Sequence, residues 1–328
     1  MLKNNPLSDP HRRALYVYLP PGYEDGIHAY STIYFLPAFM ASGVMELNEN
    51  PFDESLQARL DRLIQAGKIS PLLFVLPDPM TRYGGSQYVN SIGQGRYSDY
   101  VLELMEVVDT HFRTVRSRDH RVLMGKSSGG YGALMHAMRY PQHFGLVVDH
   151  SGDKDFERCY APLLPRFVTL AQQYSLAEVL QDPAAYLRRG MYVVDLFFLL
   201  SLPAMAAAYS PNPQHALGFD LPVDLKTGKE VEQVWHRWRV HDPLFQLKRY
   251  ADALRSLRLL YFDAGARDEF KLYEGSERLS EALTALCIPH RWELFERGHS
   301  RTQYRYDVSL VAVAEALPST PVPHLNHL

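Results

Sequence analysis

The sequence predicts an α/β protein with a mostly parallel central sheet, helices on both faces, and a largely helical insertion over one of them. Three observations predict it. Short apolar runs rich in β-branched and aromatic residues alternate with stretches of helical period. One run, Arg121-Val122-Leu123-Met124, passes through Gly125-Lys126-Ser127-Ser128-Gly129-Gly130 into a helix with Tyr131, Leu134, Met135 and Met138 at i, i+3, i+4, i+7. The block 155–242 then loses the strand pattern and shows helical periods over 163–180 and 187–202, with frequent prolines.

The elements follow in order. Residues 13–19 alternate in part and read as a strand, stopped by Pro20-Pro21-Gly22. Residues 32–36, TIYFL, fit a buried strand that ends in the loop Pro37-Ala38-Phe39-Met40. Residues 52–66 carry Leu56, Leu60, Leu63 and Ile64 at helical spacing, and 72–76, LLFVL, form the next buried strand. A polar loop with four glycines covers 81–96. Ser98 is placed to cap the helix that follows, whose apolar face holds Val101, Leu104, Met105, Val108 and Phe112. Beyond the central strand and helix, 146–148 and 257–262 read as strands, 274–287 as a helix, 291–295 as the last strand and 308–317 as the last helix. The Pro-rich tail from 318 is expected to be irregular. The whole reads as one domain over 1–328, with 155–242 as a helical lid within it.

Composition bounds the function. The 328 residues are 46% hydrophobic and 22% charged, with a net charge of −3, so no basic field argues for nucleic acid. Cys159 and Cys287 match no metal spacing and no disulfide framework, and read as buried free thiols. The first residues, MLKNNPLSDPHRR, have no apolar h-region, so no signal peptide is expected and the cytoplasm is the default location. The longest apolar stretch, 190–209, is interrupted by Asp195 and Pro203 and reads as buried or lid helices rather than a membrane span.

Strand, Gly-x-Ser-x-Gly and helix together make the nucleophile elbow. A serine at the tip of a tight strand-to-helix turn projects its hydroxyl above the sheet. Gly125 and Gly129 let strand and helix approach closely there. The backbone N–H of Ser128 opens the helix and points at any negative charge that develops beside Ser127. A serine hydroxyl needs a base, and the base an orienting carboxylate. In parallel sheets such groups belong on loops at the carboxyl ends of strands. Among 14 histidines, His299 follows the last strand directly; His150 also follows a strand and is the main rival. Asp268 lies in the loop past 257–262, while Asp263 is closer to the strand and is placed to brace the turn. The order Ser127, Asp268, His299 is that of α/β-hydrolases. A second oxyanion donor should come from the loop after an early strand, which makes the backbone N–H of Phe39 or Met40 the candidate. Tyr88, Asn90 and His150 are candidates for touching substrate.

Val17-Tyr18-Leu19-Pro20-Pro21-Gly22-Tyr23, Tyr97-Ser98-Asp99-Tyr100, Gly125 to Ala133, Gly265-Ala266-Arg267-Asp268 and Gly298-His299 form a shared pattern. In these residues the chain resembles the esterase family typified by esterase D and the enterochelin-esterase-like proteins. The resemblance covers most of the chain outside 155–242. It implies a single α/β-hydrolase domain and a triad on Ser127, Asp268 and His299. With the residues it leads to the expectation of a serine esterase acting on a small-molecule ester; no Zn, Mg or haem spacing appears, so no metal or other cofactor is expected. It favours Asp268 over Asp263 and His299 over His150. There are departures. Pro37-Ala38 stands where members often have His-Gly, and Lys126 and Ser128 stand in the elbow where S-formylglutathione hydrolases carry His and Met, which argues against formylglutathione. Two other readings accompany it: acyl transfer by the same triad, and a binding protein that kept the fold.

The insertion is aromatic and apolar, with Tyr192, Phe197, Phe198, Leu199, Met205, Tyr209, Trp235 and Trp238. Most are expected to form the lid's own core and a few to line an acyl or aryl pocket. Exposed apolar lid surface would offer a contact to a second copy.

Overall fold

The computed structural model describes residues 1–47 and 52–319. Seven strands form one sheet in the order β1-β3-β2-β6-β7-β8-β9. They are β1 (Tyr16–Tyr18), β2 (Thr32–Leu36), β3 (Leu73–Leu76), β6 (Arg121–Lys126), β7 (Leu146–His150), β8 (Leu259–Gly265) and β9 (Arg291–Phe295). The edge strand β1 pairs antiparallel with β3, and all other pairs are parallel. The short apolar runs are strands because both of their faces are covered. In β2, Ile33 and Phe35 pack on one side with Leu60 and Leu310, while Tyr34 and Leu36 pack on the other with Leu134. The first side is covered by α1 (Leu56–Gln65) and α13 (Tyr306–Ala316). The second is covered by α2 (Tyr97–His111), α3 (Ser128–Arg139), α12 (Leu272–Ala285) and the insertion.

The insertion is helical, as its pattern predicts. It holds α4 (Phe156–Tyr160), α5 (Leu164–Gln173), α6 (Leu176–Gln181), α7 (Pro183–Arg188), α8 (Val193–Tyr209) and α9 (Glu232–Arg239), and α10 (Pro243–Gln246) and α11 (Ala251–Arg255) lead back to β8. Its two ends are stitched together by one side chain: the Asp242 carboxylate accepts from the N–H groups of Asp155 (3.1 Å) and Phe156 (2.7 Å). Tyr209 stacks on Phe156 at 5.3 Å and meets Trp238 edge-on at 5.5 Å, and the Trp238 indole N–H donates to Ser210 Oγ at 2.8 Å. Leu199, Tyr209, Trp235 and Trp238 are therefore core, in a cluster shared with Tyr131 of α3.

Four details depart from the sequence reading. The helix α8 runs through Pro203 instead of breaking there. The proline ring removes one helical hydrogen bond, but the helix is apolar on nearly every side over Leu196–Tyr209 and is held by burial. No helix among the described residues is long and apolar enough to cross a membrane. The loop 81–96 contains a small hairpin of β4 (Asn90–Ser91) and β5 (Gly95–Arg96). Helix α2 starts at Tyr97, so Ser98 is inside it and the cap comes from Asn90, described below. Cys159 is buried as expected, whereas Cys287 is exposed. The tail from 320 lies outside the described residues.

Candidate active site

The elbow is built by close approach. Ser127, between β6 and α3, has φ 55° and ψ −124°, a conformation that costs a non-glycine residue about 1–3 kcal/mol. Its N–H donates to the carbonyl of His150 (2.8 Å) and its carbonyl accepts from Tyr131 N–H (3.0 Å), so both sides of the strained residue are pinned. A Cβ on Gly125 would overlap the Gly129 carbonyl, and one on Gly129 would overlap the Leu36 carbonyl oxygen of β2. These neighbours are backbone of α3 and of the central strand β2 and cannot yield. Gly129→Ala is therefore expected to lower stability by about 3 kcal/mol or more, read as a drop in thermal unfolding midpoint; an unchanged midpoint would contradict this packing.

Two further loops meet above the same end of the sheet. After β8, Ala266 N–H donates to the Phe295 carbonyl (2.8 Å) and Arg267 N–H to the Arg297 carbonyl (3.0 Å). Gly265 is needed because a Cβ there would overlap the Arg297 carbonyl. The Glu269 carboxylate accepts from the backbone N–H of His299 at 2.9 Å. These contacts place Asp268 Oδ2 at 2.8 Å from His299 Nδ1, while Asp268 Oδ1 accepts from Phe270 N–H at 2.9 Å. A carboxylate can only accept, so Nδ1 carries a proton, and in the neutral imidazole the lone pair is then on Nε2. The Asp268 side chain is fully buried, and Phe270 meets the imidazole in a T-shaped contact, ring centres 5.1 Å apart.

The rival pair exists too, in another place. His150 Nδ1 meets Asp263 Oδ1 at 2.8 Å, but its Nε2 meets Ser309 Oγ of α13 at 3.0 Å. Asp263 also accepts from Arg305 Nε (2.9 Å) and the Tyr261 hydroxyl (3.1 Å). Burial pushes the Asp263 carboxyl up, yet His150 and Arg305 outweigh it and hold it below the usual range. This is a brace under the sheet with both imidazole nitrogens occupied.

Ser127 and His299 line one cavity of about 320 Å³. Ala38 and Phe39 form part of its wall, with Phe197 and Met205 of α8, Phe270, and the polar side chains of Lys126, Asp153, Tyr160 and Glu269. Burial pushes the Lys126 ammonium below its ordinary value, against the opposing effect of Glu46, Asp268, Glu269 and Asp263. A second, largely apolar groove of about 810 Å³ shares Phe197 and Phe270 with the first and adds Met40, Val193, Val194 and Phe198, with Arg166 and Lys271 on its lining.

The structure brings Ser127, Asp268, His299, Ser128 and Phe39 together at this end of the sheet, puts Met40 on the adjoining groove, and keeps the side chains of Tyr88, Asn90 and His150 out of the cavity. Met40 has φ 58° and its N–H donates to the Gly84 carbonyl at 2.8 Å, so that donor is already occupied. Among the described residues, the N–H groups of Ser128 and Phe39 have no backbone acceptor. Tyr88 is buried with its hydroxyl donating to the Pro37 carbonyl at 2.6 Å; it braces the loop before Phe39 and does not line the cavity. Asn90 Oδ1 accepts from Ser98 N–H (3.0 Å) and Asp99 N–H (3.1 Å), so it caps α2 and faces away from Ser127. His150 is excluded by its two partners under the sheet. The sequence reading missed Lys126, Asp153, Tyr160, Glu269 and Phe270 as cavity residues. The strand-end rule could have found Asp153, three residues past β7.

The strand order, the elbow and the helical insertion define an α/β-hydrolase fold. The chain belongs to the family described as "Putative esterase", whose family model matches residues 9–313. Two esterases of Mycobacterium tuberculosis, MT1326 (strain CDC 1551 / Oshkosh) and Rv1288 (strain ATCC 25618 / H37Rv), are each 33% identical to it over 99 residues, or 30% of this chain and 21% of the relative. The match thus spans about a fifth of the length of these curated relatives. Among solved structures, a ferulic acid esterase aligns with TM-score 0.59 at 16% identity, covering 93% of this chain and 92% of that one. The S-formylglutathione hydrolase of Staphylococcus aureus aligns with TM-score 0.56 at 16% identity (93% of each chain). That of Agrobacterium tumefaciens aligns with TM-score 0.55 at 18% identity (93% and 90%). At these identities the likeness is one of fold.

Proposed function

We propose that the protein is a serine carboxylic-ester hydrolase acting through an acyl-enzyme. The observation that carries the reading is that Ser127, held in strained geometry, shares one cavity with His299, whose Nδ1 is fixed by Asp268. His299 Nε2 removes the Ser127 proton as the hydroxyl attacks the ester carbonyl. The tetrahedral oxyanion is held by the N–H groups of Ser128 and Phe39, each donor of this kind contributing about 3 kcal/mol of transition-state stabilisation. Asp268 keeps the ring in its tautomer and stabilises the imidazolium. The imidazolium then protonates the leaving alcohol, and water cleaves the acyl-enzyme by the same path.

The apolar groove beside the cavity favours esters with a sizeable apolar arm. Hydrolysis of p-nitrophenyl acetate, butyrate and octanoate tests both points. Each buried methylene contributes about 0.8 kcal/mol, roughly fourfold in kcat/KM, so activity is expected to rise along the series until the groove is full. Absence of turnover on all three would overturn the hydrolase reading. Product esters formed with added alcohols, in place of free acid, would assign the same residues to acyl transfer.

A further inference from the structure

We propose that Asp153 and Tyr160 form a polar subsite in the wall of the inner cavity, which selects substrates whose inward arm carries a hydrogen-bond donor, either a hydroxyl or an ammonium group. The proposal rests on the ester-hydrolase reading above and adds to it a preference that the triad does not specify.

The argument begins with how buried carboxylates are satisfied elsewhere in this chain. Asp242 accepts from three backbone N–H groups, those of Asp155, Phe156 and Leu244. Asp263 accepts from His150, Arg305 and Tyr261. Asp149 accepts from Gly152 N–H at 2.8 Å and pairs with the Lys154 ammonium at 2.8 Å. These acids brace the fold, each held by two or more protein donors or a buried cation, as buried polar groups require. Asp153 differs. It is only 6% exposed, and among the described residues its one hydrogen-bond donor is the Tyr160 hydroxyl, at 2.9 Å from Oδ2. A carboxylate has about four acceptor positions. The side chain that could have filled another, Lys154, points instead to Asp149 and the Gly152 carbonyl. What Asp153 faces is the cavity that holds Ser127 and His299, where Tyr160 and Met205 also form wall.

The electrostatics agree with an acceptor left short of donors. Burial pushes the Asp153 carboxyl up to about 6, against the lowering effect of Tyr160, His299 and Lys154, with Asp149 adding to the rise. Tyr131, Tyr209 and Cys159 also feel its charge, and Lys126 and Glu269 stand on other parts of the same wall. A substrate donor seated on Asp153 would satisfy the free acceptor, and Tyr160 holds the carboxylate in place to receive it. An unsubstituted arm that entered this cavity would bury the same carboxylate without compensation and so is left to the outer apolar groove, which is how a site built around a hydrogen bond rejects an analogue that lacks it.

The test compares p-nitrophenyl esters of straight-chain acids of six to eight carbons, unsubstituted, ω-hydroxy and ω-amino, with the full chain. The reading is the ratio of kcat/KM between substituted and unsubstituted esters of equal length, so that any general loss of activity cancels. At pH 8 the ratio is expected to reach about tenfold or more for the hydroxy or the amino series, and which series shows it identifies the donor. In the wild type an ammonium preference should fall between pH 7 and pH 5 as Asp153 takes up a proton, whereas a hydroxyl preference, which the carbonyl oxygen of a neutral carboxyl can still serve, should persist; His299 acts on both substrates and drops out. Asp153→Leu should bring the ratio to about one; Asp153→Asn should keep a hydroxyl preference and lose an ammonium preference. Tyr160→Phe should reduce it in either case. A wild-type ratio near one at every length, or a preference that survives Asp153→Leu, would overturn the proposal. If Asp153→Leu does not fold, the wild-type pH series and Tyr160→Phe decide. Turnover of the unsubstituted esters with a ratio of one would overturn this subsite alone, whereas no turnover of any ester would overturn the hydrolase reading.

Discussion

Ser127→Ala is expected to lower kcat on p-nitrophenyl butyrate by about 10⁴- to 10⁶-fold with little change in thermal midpoint. The loss is large because the hydroxyl is the group that forms the acyl-enzyme, and His299 and Asp268 have nothing to activate without it. What remains comes from the oxyanion donors and binding, which the substitution leaves in place. The fold should not notice, since alanine occupies the same strained backbone. Ser127→Gly separates the two effects. Glycine adopts φ 55° and ψ −124° without steric cost, so this variant should be equally inactive yet more stable, by up to the 1–3 kcal/mol stored at the elbow less the extra entropy of an unfolded glycine. Wild-type-like activity in either variant would remove Ser127 from the mechanism.

The second large effect sets the two Asp–His pairs against each other. Asp268→Asn should lower kcat by about 10⁴-fold, because an amide can donate to Nδ1 and so fix the wrong tautomer. Its effect on stability should be small by comparison. Asp263→Asn should do the reverse: the folded fraction should keep its kcat, but stability should fall by about 3–5 kcal/mol because Arg305 loses a buried partner. The pH dependence has a definite sign. Asp263 is held below the ordinary carboxyl value, so its stabilisation is fully present above about pH 4, the unfolded value, and is lost as pH falls through its folded value. The unfolding midpoint of the wild type should drop on acidification below about pH 4, and that of Asp263→Asn should drop less. Reversed effects in the two asparagine variants would mean that His150–Asp263 is the working pair.

Much of this was legible in the sequence for reasons that can be named. The runs at 32–36 and 291–295 became strands with the same bounds because both are short and strongly β-forming. The elbow was legible because its glycines are a local steric requirement, met within a few residues of chain. Asp268 and His299 were legible because strand ends define where active groups stand. His150 shows the limit of that rule, and also the signal that was available. Side chains alternate along a strand, and Val148 packs with Leu310 of α13, so His150, two residues on, faces the same side, away from the lid. The oxyanion loop was legible only as a place: that Met40 turns to positive φ and gives its N–H to Gly84 depends on a loop more than forty residues away in sequence. Tyr88 and Asn90 were read as substrate contacts because they lie near a strand end, whereas they hold the Phe39 loop and the start of α2. The roles of Asp153, Tyr160 and Phe197 depend on how the insertion folds back over β7 and β8, and no local period carries that information.

The central claim, that Ser127 is a nucleophile activated by His299, is tested most directly by labelling with a fluorophosphonate and mapping the adduct by mass spectrometry. A single adduct on the peptide containing Ser127, formed at a rate that falls by at least a hundredfold in His299→Ala, is the predicted result. No adduct, or one on a different residue that is indifferent to His299, would contradict it.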